Sequence, residues 1–417
     1  MNNQLLIKRE ILPNGIRFIQ FPRPQKMTTQ LSVVIEYGST SNSEKNSGLA
    51  HFLEHMVGGG SKERILMNRS LEQNGGFQNF WTYPEFTMGY VDVFTKKLNE
   101  ALQILSKLFF KDGFEENKFD LEKKIILNEI DDSLDNPVDV VDDMLKKTLF
   151  KNHPVRHPIL GYHNTVSQFS FDEIIEAKQT YYNPKNTIVI LSGKYLDKDV
   201  ESVEQTFAEI KKSKTASKKH SCIKEGEIQK ISCKTKMGLL QTYLRFGFRT
   251  VSWKHPDNPA IDLLSTIIGN GTSSRLFREL REKRGLGYDI QSSNYKGQDF
   301  GYFSIECSVN PRNIKETTDL ILKEITNLKT KKISDVELIK VKNMIVGDFY
   351  RGVDESETLH VLISLFETLF ADEHAIPKYL EKIKAVSGDD IIEVANKYLG
   401  DDNLSKAILT PEKMDQA

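Results

Sequence analysis

KNSGLAHFLEHMVGGGS, residues 45–61, holds two histidines four positions apart, His51 and His55, with Glu54 beside the second. Small residues flank them: Ser47 and Gly48 before, Gly58, Gly59 and Gly60 after. Ser47 and the glycines read as the start and stop of a short helix. At about 100° per residue, Leu49, Phe52, Leu53 and Met56 form one apolar stripe, with His51, Glu54 and His55 nearly opposite. Imidazoles at i and i+4 stack on one helix face and can converge on a single ion. Glu54 lies beside them, placed to reach a water at that ion without being a ligand. This arrangement suits zinc, which takes nitrogen and oxygen ligands and keeps one position for water. Taken alone, the stretch also fits a solvent-facing polar helix.

A catalytic zinc needs a third protein ligand from another element, and carboxylate is a common choice. The stretch LEKKIILNEIDD, residues 121–132, offers Glu122 and Glu129. Seven apart, they share a helix face across two turns, with Ile125 and Ile126 between them. Carboxylates set in an apolar stripe need partners. A metal, or a ligand histidine seeking an acceptor, supplies one. The competing reading is the exposed edge of an amphipathic helix.

Working outward, LIKREIL and IRFIQF flank Pro13-Asn14-Gly15 as a hairpin, and TTQLSVVIEYG follows as a longer strand. A second helix is expected over roughly 64–73, then strands FQNFW and TMGYVDVF, then a mainly helical block from about 97 to 150. YYNPKNTIVILSGKY turns into a strand that closes the first half. Residues 210–236 are basic, Ser/Lys-rich and poor in large apolar residues, and read as a linker with a weak strand in it. Without interleaved aromatics the lysines read as solvated, not as a nucleic-acid patch. After the linker the first half recurs. Gly89 to Gly301 is an offset of 212, Leu98 to Ile314 one of 216, and Asp120 to Asp335 one of 215. A steady offset with small slips indicates a duplicated domain, not a solenoid. The expected architecture is α+β: two similar domains, 1–209 and 237–417, each a mostly antiparallel sheet packed with helices. Only the first copy carries the histidine pair.

The bulk composition agrees with two globular domains. The chain has 417 residues, 57 basic and 58 acidic, with 39% hydrophobic content. Near-neutral charge provides no global field for nucleic acid or an anionic membrane. No run approaches the roughly 20 apolar residues of a membrane span, and the N-terminus does not read as a signal peptide. Cys222, Cys233 and Cys307 read as reduced thiols. A cytoplasmic location is expected.

These residues together resemble the inverzincin zinc metallopeptidases of the pitrilysin–insulinase family, in particular its short, mitochondrial-processing-peptidase-like branch. The resemblance implies one zinc ion per chain, held by His51, His55 and Glu129, with Glu54 as general base and Glu122 as a supporting carboxylate. The separation of Glu129 from His55 matches the family's second motif. NGGFQNFWTYPEFTMGYVDV is similar to the family's Gly-Gly-x-x-Asn-Ala-x-Thr segment, an edge strand that a substrate peptide joins, which implies substrate contacts at Gly76, Asn79, Phe80 and Thr82. Glu85, Thr87 and Tyr90 also match this segment. Phe80 departs from the usual alanine and bears on the size of the neighbouring pocket. In the second half, Arg281 and Tyr288 have the spacing of the family's Arg/Tyr pair, which implies help at the scissile carbonyl. HPILG at 157–161 extends the match. The implied function is a zinc endopeptidase acting on peptides or unfolded segments. Because long relatives put four such domains in one chain, a homodimer with composite sites is expected. The alternatives are a catalytic subunit that needs a different, zinc-less partner, and a scaffold of the same fold without activity.

Overall fold

Strand residues Leu31, Val33 and Ile35 alternate with Ser32 and Val34, and all five are buried. A strand buried on both faces must lie inside a sheet covered on both sides. The computed structural model, which describes residues 7–111, 113–211 and 223–411, contains two such sheets. Strands β1 (Lys8–Ile11), β2 (Arg17–Pro22), β3 (Thr28–Ile35), β4 (Phe77–Thr82), β5 (Thr87–Phe94) and β6 (Thr187–Gly193) form the first, in the order β1-β2-β6-β3-β5-β4. Strands β7 (Ile231–Thr235), β8 (Thr242–Arg249), β9 (Gly287–Lys296), β10 (Gly301–Val309) and β11 (Leu404–Thr410) form the second, in the order β7-β11-β8-β10-β9.

Setting β1 aside, the two orders are the same, and so are the directions. In each sheet one parallel pair, β2 with β6 or β7 with β11, is followed by three antiparallel pairings. The duplication expected from the sequence offsets is therefore a duplication of topology. The weak strand expected in the linker is β7. Residues 212–222 of that linker, Cys222 among them, lie outside the described residues. Cys307 is buried and Cys233 exposed, both as thiols.

Helices α1 (Leu49–Gly59), α2 (Lys62–Gln73), α3 (Leu98–Phe110), α4 (Glu116–Asp135) and α5 (Pro137–Leu149) follow in the first half of the sequence. Phe52, Leu53 and Met56 of α1 and Leu102, Leu105 and Phe109 of α3 share one apolar cluster with Leu31 and Val33 of β3. The opposite face of the same sheet is covered by the helix Ser356–Phe370, whose His360 meets the hydroxyls of Ser32 and Ser192 at 2.6 Å each. In the second sheet, Phe246, Phe303 and Ile305 pack with the helix Asn258–Gly269. Its other face, with Tyr302, Ala407 and Leu409, packs with Leu145 and Leu149 of α5.

The compact units formed by this packing are not contiguous in sequence and differ from the division into 1–209 and 237–417. Among the described residues the first unit consists of 7–131, 157–211 and 352–377, and the second of 132–156, 223–351 and 378–411. The reason lies at the end of α4. Proline in a helix interior lacks an amide donor and clashes with the preceding turn, but it fits the first turn, so α4 ends before Pro137 and a new helix starts there. Asn136 caps it by accepting a hydrogen bond from the Val138 amide. The apolar stripe of α5 is thereby free to bury itself on the second sheet. Among the described residues no helix is long and apolar enough to cross a membrane.

Candidate metal centre

Helix α1 is set at its N-terminal end. Gly48 adopts φ +95°, and the Ala50 amide donates to Asn42 Oδ1 at 3.2 Å. Asn42 thus caps the helix from eight residues upstream, a role its position in the chain does not advertise. The HPILG loop presses on the same end. Thr165 Oγ1 donates to the Ser47 carbonyl at 2.8 Å, and a Cβ on Gly161, whose φ is +83°, would stand 2.5 Å from that carbonyl oxygen. Phe52, Leu53 and Met56 anchor the helix in the core at zero exposure. With that stripe held, His51 and His55 turn toward α4, and Glu54 toward Thr82 of β4.

The three expected ligands meet. His55 Nε2 lies 3.4 Å and His51 Nε2 3.8 Å from the same oxygen, Glu129 Oε2. One ligand atom from each of the three fits within a span of 4.8 Å. Zinc bonds of about 2.0–2.1 Å in a tetrahedron set ligand atoms about 3.4 Å apart. The histidine–glutamate separations are close to that, and both histidines present Nε2. His51 Nδ1 is buried with no hydrogen-bond partner among the described residues. His55 Nδ1 donates to Glu122 Oε2 at 3.1 Å, which leaves Nε2 as the nitrogen that faces inward. The donor set of two nitrogens and a carboxylate oxygen fits zinc.

Charge in the site follows the same pattern. Burial, reinforced by the neighbouring His55, pushes His51 down to about 3, so its imidazole is neutral. Burial also opposes charge on His55, but its hydrogen bonds to Glu122 and Glu129 outweigh this and push it up to about 10. The same bond to His55 holds Glu129 below the usual carboxylate range, against the effect of burial. Without metal, the His55 imidazolium is the positive charge that the carboxylates gather around. Glu54 is not among the converging groups. Its carboxyl is buried, which raises its pKa, and Thr82 Oγ1 donates to its Oε2 at 2.7 Å.

Gly59 makes room for a neighbour. A Cβ there would stand 2.2 Å from Glu122 Oε1, whereas one on Gly58 would stand 3.6 Å from the Phe80 ring, an ordinary contact. Glu122 is buried, and so is Ile126, but Ile125 is 37% exposed, so only one of the two isoleucines shares the carboxylates' inner face. The Gly-Gly-Gly run is a part of the site that sequence reasoning did not assign, and Thr82, expected as a substrate contact, holds Glu54. The run itself was the visible signal, since three glycines next to a ligand helix imply close approach by other elements.

The other expected residues divide. Asn79, Phe80 and Thr82 stand on β4, the edge strand, and Asn79 Oδ1 accepts from the Phe80 amide at 2.9 Å. Gly76 precedes that strand. A Cβ there would lie 3.0 Å from the Leu71 carbonyl, so this glycine serves the turn out of α2. Thr87 Oγ1 donates to the Tyr37 carbonyl and Tyr90 Oη to Glu357, both at internal positions, and Glu85 is buried. Arg281 and Tyr288 belong to the second unit. Arg281 lies in a π-helical turn, Phe277–Glu282, with its guanidinium 4.9 Å from the centre of the Phe277 ring. Tyr288 stands in β9, and its side chain lies outside the described part of the structure.

Both halves of the chain match known proteins. Residues 19–162 match the family model Insulinase (Peptidase family M16), and residues 168–345 match Peptidase M16 inactive domain. The second match covers most of the half that lacks the histidine pair. The chain is 26% identical over 408 residues to a zinc protease of Bacillus subtilis, covering 97% of this chain and 98% of that one. It is 28% identical to a zinc protease of Rickettsia felis, with 97% of each covered. It is 24% identical to a probable mitochondrial-processing peptidase subunit beta of Arabidopsis thaliana, over 96% of this chain and 77% of the other. A protease from Helicobacter pylori has the same fold, with a TM-score of 0.91 at 23% identity, covering 98% of this chain and all of that one. With both halves matched in order by models of one family, the chain belongs to the insulinase family of peptidases, peptidase family M16.

Proposed function

We propose that this protein is a zinc endopeptidase that hydrolyses peptides and unfolded polypeptide segments. The observation that carries the reading is the convergence of His51 Nε2, His55 Nε2 and Glu129 Oε2, with Glu54 beside them and outside the ligand set. Zinc, when bound, would supply a Lewis acid and lower the pKa of water at the site. Glu54 takes the proton of the attacking water and passes it to the leaving amine. Thr82 fixes the carboxylate that does this, and Glu122 fixes the ring of His55. The peptide joins the free edge of β4 by main-chain pairing, which makes little demand on its sequence and requires an extended chain. The zinc protease relatives support the reaction class.

The expected location is the cytoplasm, in keeping with the thiols at Cys233 and Cys307. The expected assembly is a homodimer in which Arg281 and Tyr288 of one copy serve the metal centre of the other. A relative named as a subunit beta favours a second reading, a catalytic subunit with a different partner. Relatives named as an inactive domain and as part of Complex III2 keep the scaffold reading as the contrast. One experiment separates activity from scaffold. Glu54→Gln should retain stoichiometric zinc and lose hydrolysis of a quenched peptide, whereas Glu129→Gln should lose zinc affinity itself. A wild-type chain that binds zinc and cleaves no peptide, alone or with a partner, would leave only the scaffold.

A further inference from the structure

We infer that Phe80 sets the size of substrate side chain accepted on the C-terminal side of the cut bond, and that it restricts that position to small residues. The inference rests on the peptidase reading above, with β4 as the strand a peptide joins.

Side chains two apart on a strand share a face. Thr82 points at Glu54 of α1, so Phe80 points toward α1 as well. The ring lies over Gly58, one helical turn beyond Glu54 and three residues beyond His55. On its other flank it fills a second slot without a side chain. Phe80 pairs with Gly89 across the sheet, and a Cβ on Gly89 would stand 2.5 Å from Phe80 Cδ1. Behind it is Phe109, with ring centres 6.1 Å apart. An aromatic ring is thus held between two glycines on neighbouring elements, beside the groups that would perform the hydrolysis. It is only partly buried, so one edge still faces outward.

The direction of a bound peptide decides which substrate residue meets that edge. β4 already pairs antiparallel with β5, and antiparallel pairing is the more stable per residue. A peptide antiparallel to β4 runs toward its own C-terminus as β4 runs back from Thr82 to Phe80. Two residues span about 6.8 Å. The cut bond lies by Glu54, which Thr82 holds. The first substrate side chain after that bond to face α1 therefore meets the Phe80 ring in space that two glycines would otherwise leave open. Glycine, alanine or serine fits there, and a large apolar side chain does not.

The test uses the full chain loaded with zinc and quenched peptides that carry Ala, Leu or Phe at the last position before the cut, or at the first or the second position after it. The readout is the ratio of kcat/KM for the bulky peptide to that for the Ala peptide. Wild type should favour Ala. Phe80→Ala should raise the ratio by about 10-fold or more, the scale on which pocket size discriminates side chains, and Phe80→Leu should fall between. Phe80→Leu also keeps the test open if the alanine variant folds poorly, with zinc stoichiometry as the control. A ring that is only structural would lower both rates in proportion. An unchanged ratio in an enzyme that does cleave, or a change confined to positions before the cut, overturns the inference and leaves the peptidase reading standing. A zinc-loaded wild type that cleaves none of the peptides overturns both.

Discussion

Glu122 provides the most graded test of how the metal centre is held. It is buried, and its Oε2 accepts the Nδ1–H of His55 at 3.1 Å, fixing the tautomer that leaves Nε2 toward Glu129. Glu122→Gln keeps an acceptor oxygen and the shape, and exchanges a charged hydrogen bond for a neutral one. Hydrogen bonds to charged groups contribute about 1.5–3 kcal/mol and neutral ones about 0.5–1.5, so the substitution costs about 1–1.5 kcal/mol. That is a rise of about 5–10-fold in the zinc Kd. Glu122→Ala removes the bond altogether and leaves a buried N–H unpaired, a loss of about 2–3 kcal/mol or about 30–150-fold in Kd, at the upper end of the roughly 10–100-fold typical of such supporting groups. Glu129→Gln, which alters a ligand, should weaken binding more than either. The assay is competition with a chromophoric chelator at fixed pH, with the thermal midpoint of the metal-free proteins as a folding control. The argument is refuted if Glu122→Gln and Glu122→Ala both bind zinc within twofold of wild type. It is also refuted if the alanine variant binds more tightly than the glutamine one.

Stability should fall with acid through His360, which is fully buried and pushed down to about 3, first by burial and then by Arg23. Its folded pKa lies below the unfolded value near 6.5, so the unfolded chain gains the proton first. Stability should drop by about 1.4 kcal/mol per pH unit from about 6.5 toward 3, and not above 6.5. Urea titrations at several pH values should show a slope shallower by that amount in His360→Gln; equal slopes would contradict it. Gly161→Ala should destabilise the first unit by about 2–4 kcal/mol, because the methyl meets the Ser47 carbonyl and the φ of +83° suits glycine alone. Hydrogen exchange should then show loosening at the start of α1; unaltered protection there would count against the HPILG loop as its support. For the dimer, Glu54→Gln and Tyr288→Phe should each lose activity alone and regain part of it on mixing, since one site in each mixed pair carries neither lesion. No recovery after demonstrated subunit exchange would reject sites shared between copies.

The sequence by itself determined whatever depends on near neighbours in the chain. Four-residue spacing puts His51 and His55 on one helix face wherever that helix goes, and seven-residue spacing does the same for Glu122 and Glu129 on α4. Alternation in TTQLSVVI marks a strand, and three offsets near 214 imply two similar domains, seen in the matching strand orders. Only the tertiary structure decided which groups from different elements come within bonding distance. That Thr82 holds Glu54, that Asn42 caps α1 from outside it, and that Phe80 lies beside Gly58 in the gap left by Gly89 are contacts between segments whose separation in the chain carries no period. The same holds for α5 and the helix Ser356–Phe370, each of which leaves its own half of the sequence. An amphipathic stripe states that a helix must be covered but does not name the surface that covers it. That choice falls to whichever apolar face the whole chain leaves open, and here it is the sheet of the other half.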